Sequence, residues 1–410
     1  MRSNKALSVF HSTPPLVFLS LSLLLVSVLL FPGRPAQAQS YKVLYSFTGP
    51  TGDASWPNGV LRESDGTFYG VTCYGGMSYN GTAFSFSPQG KETILYNFLG
   101  GYGSCPDSLL SWNGQFYGAT ETGGSEGGGA IFRLGKNGSE FVLHSFPRAD
   151  APHLYFGDGK GNFYGTSGGG AFGYGTIFKI DSSGNLIVLY NFGFYNSAGY
   201  SPGNLYADKR GNLYGVTFDG ADPNCKCGAL FRLDSGGVLK VLHVFTGGTD
   251  GAYPSGLVGD EEGNVYGGTI FGGSSNANCP TGCGTIYELT ASGQYKILYN
   301  FTGLPDGESP TEIVRDAAGN LYGITDYGGD AKCYSYFNNG IGCGVVFKLD
   351  TAGREAVLHA FAAAPDGAYP NSLFWDSDGV LYGVTLTGGD ANCSMFGSYT
   401  GCGTIFELTP

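Results

Sequence analysis

The chain is poor in the residues that carry most enzyme chemistry. Charged residues make up 13% of its 410 positions, and there are five histidines, three tryptophans and three methionines. His11 falls in an N-terminal leader, and the remaining histidines suggest no Ser-His-Asp or Cys-His arrangement. Basic residues are scarce too: 21 Lys and Arg against 33 Asp and Glu give a formal net charge of -12. A surface of that sign repels phosphate backbones and anionic lipid, which argues against nucleic acid as a partner. No apolar pattern recurs at the helical period, so a helical bundle is excluded. The 28 Tyr and 29 Phe argue equally against disorder.

The leader has the three-part pattern of a secretory signal. Arg2 and Lys5 give a positive start, Leu16 to Phe31 an apolar run, and Ala36-Gln37-Ala38 a small-x-small cleavage site. The rival is a membrane anchor, but the 16-residue run is just shorter than the roughly 17 to 25 needed to span a bilayer. Pro32, Gly33 and Pro35 then break the helix. Cleavage after Ala38 is therefore expected, leaving residues 39–410 as one domain, exported to the periplasm or beyond, with no membrane insertion and no partner copy required. It removes Arg2, Lys5 and Arg34 and no acid, moving the net charge from -12 to -15.

Glycine is abundant, at 72 residues, and it marks a repeat. A Tyr-Gly pair recurs at Tyr69, Tyr117, Tyr164, Tyr214, Tyr266, Tyr322 and Tyr382, which counts seven units of roughly fifty residues. In the fifth unit, strands are expected over Pro254–Asp260, Val265–Ile270, Gly284–Leu289 and Tyr295–Phe301, joined by Gly-containing turns. Residues on both faces are apolar: Phe178 and Ile180 oppose Ile177, and Val188 and Tyr190 oppose Leu189. A sheet buried on both sides suits a propeller blade, and equally a solenoid stack. The ends decide between them. Tyr41 to Phe47 (YKVLYSF) matches a fourth strand, and the final Gly403 to Leu408 (GTIFEL) is a third strand with no fourth after it. Lending the N-terminal strand to the last unit closes a ring and hides an edge that would invite aggregation. The expected fold is all-β, a seven-bladed β-propeller of four-stranded antiparallel blades completed by the N-terminal strand.

The combination of LYGVT, a Gly-Gly loop, GTIF and VLYSF with a following Asp-Gly turn resembles the GloVer tandem repeat of exported, choice-of-anchor bacterial proteins. The resemblance covers residues 41 to 410. It implies a surface or extracellular location and carries over no activity. Many such proteins end in a sorting anchor that is missing here.

All ten cysteines follow the leader, and an even number in an exported chain predicts disulfides. Cys279 with Cys283, Cys333 with Cys343, and Cys393 with Cys402 each bracket one loop between second and third strands, and Cys225 with Cys227 fills the same slot in the fourth unit. Cys73 and Cys105 are left to bridge neighbouring units. Zinc at Cys225-x-Cys227 is the weaker alternative, since no histidine stands near, and no metal or cofactor is expected.

Three of the four remaining histidines, His144, His243 and His359, replace tyrosine at a fourth-strand position occupied elsewhere by Tyr45, Tyr96, Tyr190 and Tyr299, which makes them packing residues. His153 stands alone. Asp158, Asp208, Asp260, Asp316 and Asp376 begin Asp-x-x-Gly turns and need no calcium. More suggestive are the segments that lead into each unit's proline. Asp53, Asp250, Asp306 and Asp366 stand four residues before it, and Trp56, Tyr253 and Tyr369 directly before it. These units are consecutive around a closed ring, so the residues are expected to form one arc on the loop face. Carboxylates beside aromatic platforms suit sugar rings. The expectation is a secreted binding scaffold for an extracellular glycan or protein. A polysaccharide lyase or hydrolase using arc carboxylates, and a purely structural envelope component, are the alternatives.

Overall fold

The computed structural model describes residues 39–49, 53–194, 197–333, 342–395 and 399–410. The proposed leader, residues 1–38, lies outside them. Seven four-stranded antiparallel sheets follow one another around a β-propeller. Blade 1 consists of Ala54–Arg62, Phe68–Gly75, Thr82–Phe86 and Glu92–Asn97. Blade 4 repeats the order with Tyr200–Ala207, Leu213–Asp219, Ala229–Leu233 and Leu239–Val244. Blade 7 is composite: Gly367–Trp375, Leu381–Gly388 and Thr404–Thr409 take the N-terminal Ser40–Ser46 as their outer strand, with Tyr41 opposite Leu408 and Val43 opposite Phe406.

The blades are joined by aromatic pairs. The residue that leaves each fourth strand is a buried phenylalanine, and its ring meets the third-strand aromatic of the next blade. The pairs are Phe47 with Phe84, Phe98 with Phe132, Phe146 with Phe178, Phe192 with Phe231, Phe245 with Tyr287, Phe301 with Phe347 and Phe361 with Phe406, with ring centroids 5.1–5.5 Å apart. The first runs from blade 7 to blade 1, so the N-terminal strand supplies the ring contact that closes the circle. Such pairs add about 0.5–1.5 kcal/mol each beyond the area they bury. The Tyr-Gly motif has its cause here. The glycine lies under the third-strand ring, and a Cβ on Gly215 would come within 2.5 Å of Phe231 Cζ and 2.7 Å of Leu205 Cδ2.

A second sevenfold contact stitches the inner strands. The residue before each proline (Trp56, Cys105, Ala151, Ser201, Tyr253, Ser309, Tyr369) is left-handed, with φ between 39° and 59°. Non-glycine residues rarely adopt this region and proline disfavours it in its neighbour. What offsets the strain is a hydrogen bond from its N–H to a carbonyl of the preceding blade, such as Trp56 N to Cys402 O at 3.1 Å and Tyr253 N to Cys227 O at 2.9 Å. For that reason the fifth unit's first strand starts at Ala252, before the proline and earlier than the sequence pattern suggests. The outer strand also departs from simple alternation. Each has a bulge at its leucine, so that Ile177 faces Tyr190 while Phe178 faces Val188. Val188 is consequently exposed rather than buried.

The Tyr/His alternation has a partner one blade on. Where the outer strand carries His243 or His359, the next begins with Tyr295 or Tyr41, stacked on the imidazole at 3.8 Å and 3.5 Å. Where it carries Tyr96, the next begins with Glu140, which accepts the phenol hydrogen at 3.3 Å.

Two outcomes test this architecture. Deleting residues 41–47 should leave blade 7 with an open edge and Phe84 without its ring partner Phe47, so that the chain aggregates or loses its cooperative denaturant transition. Gly215→Ala should cost about 1–3 kcal/mol by overpacking against Phe231, measured as a shift in the urea midpoint at constant m-value.

Candidate functional site

The acidic arc lies on the loop face, but its carboxylates serve the fold. Asp53 and Asp306 are 5% and 7% exposed. Asp53 Oδ2 accepts from Tyr45 Oη at 2.7 Å and Thr48 N at 3.0 Å; Asp306 accepts from Tyr299 Oη at 2.6 Å and from Thr302 N and Oγ1 at 3.0 and 2.7 Å. Asp250 and Asp366 do the same with His243 and Thr246, and with His359 and Ala362. Each Asp therefore shapes the turn that follows its blade's outer strand.

The staples explain why only four units have it. All five expected disulfides are formed, Cys73–Cys105, Cys225–Cys227, Cys279–Cys283, Cys333–Cys343 and Cys393–Cys402. The last four sit in the blades whose turns carry the Asp, and the turns pack on the sulfurs. A Cβ on Gly49 would lie 2.7 Å from Cys393 Sγ, and one on Gly303 3.2 Å from Cys279 Sγ. Asp turn and stapled loop are one structural unit, and each carboxylate has a structural partner in its own turn. Zinc at Cys225 and Cys227 falls for the same reason, because paired sulfurs offer no thiolate. Cys279, Cys283 and Glu308 also stand within metal-binding reach of one another, but those sulfurs are bonded too.

Of the expected rings, Tyr369 is 7% exposed, while Trp56 and Tyr253 are half-buried. Each covers its neighbour at the rim: Trp56 lies edge-on to Tyr74 at 5.4 Å, Tyr369 to Tyr327 at 6.1 Å, and Tyr253 stacks at 4.8 Å on Phe218, which is 40% exposed.

A cavity of about 470 Å³ lies on the axis, lined by the first strands of blades 1, 2, 3, 4, 6 and 7. The lining is set by the residues just after the prolines: Asn58, Asp107 with Ser108, His153, Asn204, Thr311 with Glu312, and Asn371 with Ser372, together with Glu121 from the second strand of blade 2. Several reach across blades. Asn58 Nδ2 donates to Pro106 O at 3.0 Å, Asn371 Nδ2 to Asn58 O at 3.1 Å, and Leu373 N to Glu312 Oε2 at 2.9 Å. Ser372 Oγ is buried with no hydrogen-bond partner among the described residues. Each first strand runs from the loop face inward, so these groups stand at the same end of the axis as the rim rings. Trp56 and Asn58 are two residues apart on one strand, as are Tyr369 and Asn371.

The electrostatics of the channel are unusual. His153 Nδ1 is ion-paired with Asp107 Oδ2, whose charge, against the cost of burial, raises the imidazole pKa to about 9. Burial raises Glu312 to about 7, with the Leu373 N–H opposing. Asp326, which interacts with the lining residue Thr311 without lining the cavity itself, is raised by burial to about 7, and Glu121 is pushed up by burial and then by Asp107. Near neutral pH the channel thus holds one charged pair and, in Glu312, an acid close to its titration point, able to donate as well as accept hydrogen bonds.

The pattern of the Gloeobacter/Verrucomicrobia repeat matches residues 30–225 and 154–397. The chain belongs to this repeat family. No curated protein matches it. Among solved structures, the extracellular domain of a protein described as a hybrid two-component system from B. thetaiotaomicron superposes with a TM-score of 0.57 at 11% identity, over 91% of this chain and 41% of that one. A similar domain of a one-component system from the same organism gives 0.53 at 13% identity, over 91% and 42%. YCF48 from Cyanidioschyzon merolae gives 0.55 at 10% identity, over 90% and 99%. The repeat protein spans less than half the length of the two B. thetaiotaomicron chains, and at these identities the likeness shows the propeller fold alone.

Titration tests the channel. His153 is held above its ordinary 6.5, so the stability it contributes is fully present below that value and lost as pH rises through about 9. Glu312 and Asp326 act in the same sense, binding protons in the native state between their ordinary carboxylate values and about 7. The GloVer-repeat protein should therefore melt at a lower temperature at pH 9 than at pH 6. By NMR, the His153 ring should titrate near 9 and fall back toward 6.5 in Asp107→Asn.

Proposed function

We propose that this repeat protein is an exported recognition module that binds a saccharide, neutral or amino-substituted, at the loop-face mouth of its axial channel. The observation that carries the reading is the pairing of a half-buried rim ring with a channel amide two residues further along the same strand, at Trp56 and Asn58, above a polar cavity of about 470 Å³. Small-molecule sites run at about 300–1,000 Å³. Sugars need both kinds of group, hydroxyl partners and a flat apolar face. Glu312 can donate to or accept from hydroxyls near neutrality, and the acids lining the channel, Glu121, Glu312 and Asp107, disfavour anionic sugars. Five disulfides fit an oxidising, extracytoplasmic compartment.

A lyase or hydrolase built on the arc carboxylates loses support, because each of those acids is engaged by donors of its own turn. An envelope component with no ligand would leave the buried channel acids without a use.

A glycan array followed by calorimetry tests the reading. Trp56→Ala and the pair Asn58→Ala with Asn371→Ala should each weaken binding of the best glycan at least tenfold. Analysis of the incubated glycan should show no new reducing or unsaturated ends. Parent-like binding by both variants would overturn the site, and new chain ends would replace recognition with catalysis.

A further inference from the structure

The five disulfides are not equivalent. Cys225 and Cys227 are separated by a single residue, whereas the other bridges span 4, 9, 10 and 32 positions. A bridge this short restrains little of the unfolded chain. Lys226 between them is held left-handed at φ 58°, a conformation unfavourable to a lysine. Cys225 is half-buried between exposed Asn224 and Lys226, while Cys227 is 1% exposed.

The loop does not depend on the bridge for its shape. Lys226 N donates to Asp222 O at 2.9 Å, Gly220 N to Lys226 O at 3.1 Å, and Gly228 N to Gly220 O at 3.2 Å. Asp222 Oδ1 accepts from Asn224 N at 2.8 Å and from Cys225 N at 2.7 Å. Cutting the sulfur link would leave the hydrogen-bonded turn in place.

We infer that Cys225–Cys227 is a thiol–disulfide exchange site for a dithiol partner, set among four structural bridges, and the inference stands independently of the saccharide reading. An incoming thiolate attacks Sγ of Cys225. The Sγ–Sγ bond breaks, the electron pair leaves on Cys227 Sγ, and that thiolate takes a proton from water. The partner's second thiol, as thiolate, then attacks the mixed disulfide, releasing Cys225 as a thiolate that is protonated in turn. The bridge gains two electrons and two protons, and the dithiol becomes a disulfide. Bridges with a cysteine partly open to solvent are the more labile in such exchange.

Graded dithiothreitol on the folded full chain, with the free thiols trapped by alkylation and mapped by mass spectrometry, tests the site. Cys225 and Cys227 should be labelled at concentrations at least tenfold below those that label the other eight cysteines, with the circular dichroism unchanged. In Cys227→Ser, oxidised glutathione should leave an adduct on Cys225 while the melting temperature stays at the parent value. Labelling of all five bridges together, labelling only on unfolding, or a Cys225 that takes no adduct in the folded variant would overturn the proposal.

Discussion

The structure depends on one constraint: no blade can bury itself. Each four-stranded sheet has apolar residues on both faces, and its third-strand aromatic is covered only when the preceding blade's outer-strand phenylalanine lies against it. Seven such pairs exist because the chain closes on itself, and the pair between Phe47 and Phe84 exists only because Ser40–Ser46 crosses back to blade 7. Removing one contact leaves two faces wet, so the energy of closure is shared around the ring. The glycine of the Tyr-Gly motif belongs to the same contact, since it is the floor on which each ring rests.

That constraint also explains which features could be read from the chain alone. Whatever the ring repeats seven times is periodic in sequence, so the blade count, the strand order and the borrowed N-terminal strand were all legible. The cysteine pairs were legible because each staples a local loop or joins adjacent units. The partners of the acid arc were less legible for a physical reason. A one-dimensional pattern shows that Asp53, Asp250, Asp306 and Asp366 share a register and a face, but it does not show where a carboxylate turns. The Thr-Gly or Ala-Ala pair that precedes each Asp was the missing signal, because its backbone N–H is the nearest donor.

The channel was missed because its residues look unlike one another. Asn58, Asp107, His153, Thr311 and Asn371 all directly follow the proline, and only their shared register links them. A polar residue directly after the proline in six of seven units was the available clue. His153 seemed isolated in sequence for the same reason: its partner Asp107 occupies the matching position one blade earlier.

The repeat thus divides its positions by the physics each must satisfy. The ring glycine, the two aromatic layers and the left-handed residue before proline are held in all seven units by contacts between blades. The residues one or two places beyond the proline face the axis, where no neighbouring blade dictates their identity, and there the seven units diverge most. A scaffold needs only that these residues fill the channel or hydrogen-bond across it. Asn58 does so through its amide nitrogen. Glu312, Asp326 and Glu121 do more than filling requires, because burying acids at the cost of raised pKa values opposes folding at neutral pH. The placement of Glu312 and Glu121 on one axial cavity is the feature that folding alone does not call for. It is also what makes that cavity the place to look for a ligand.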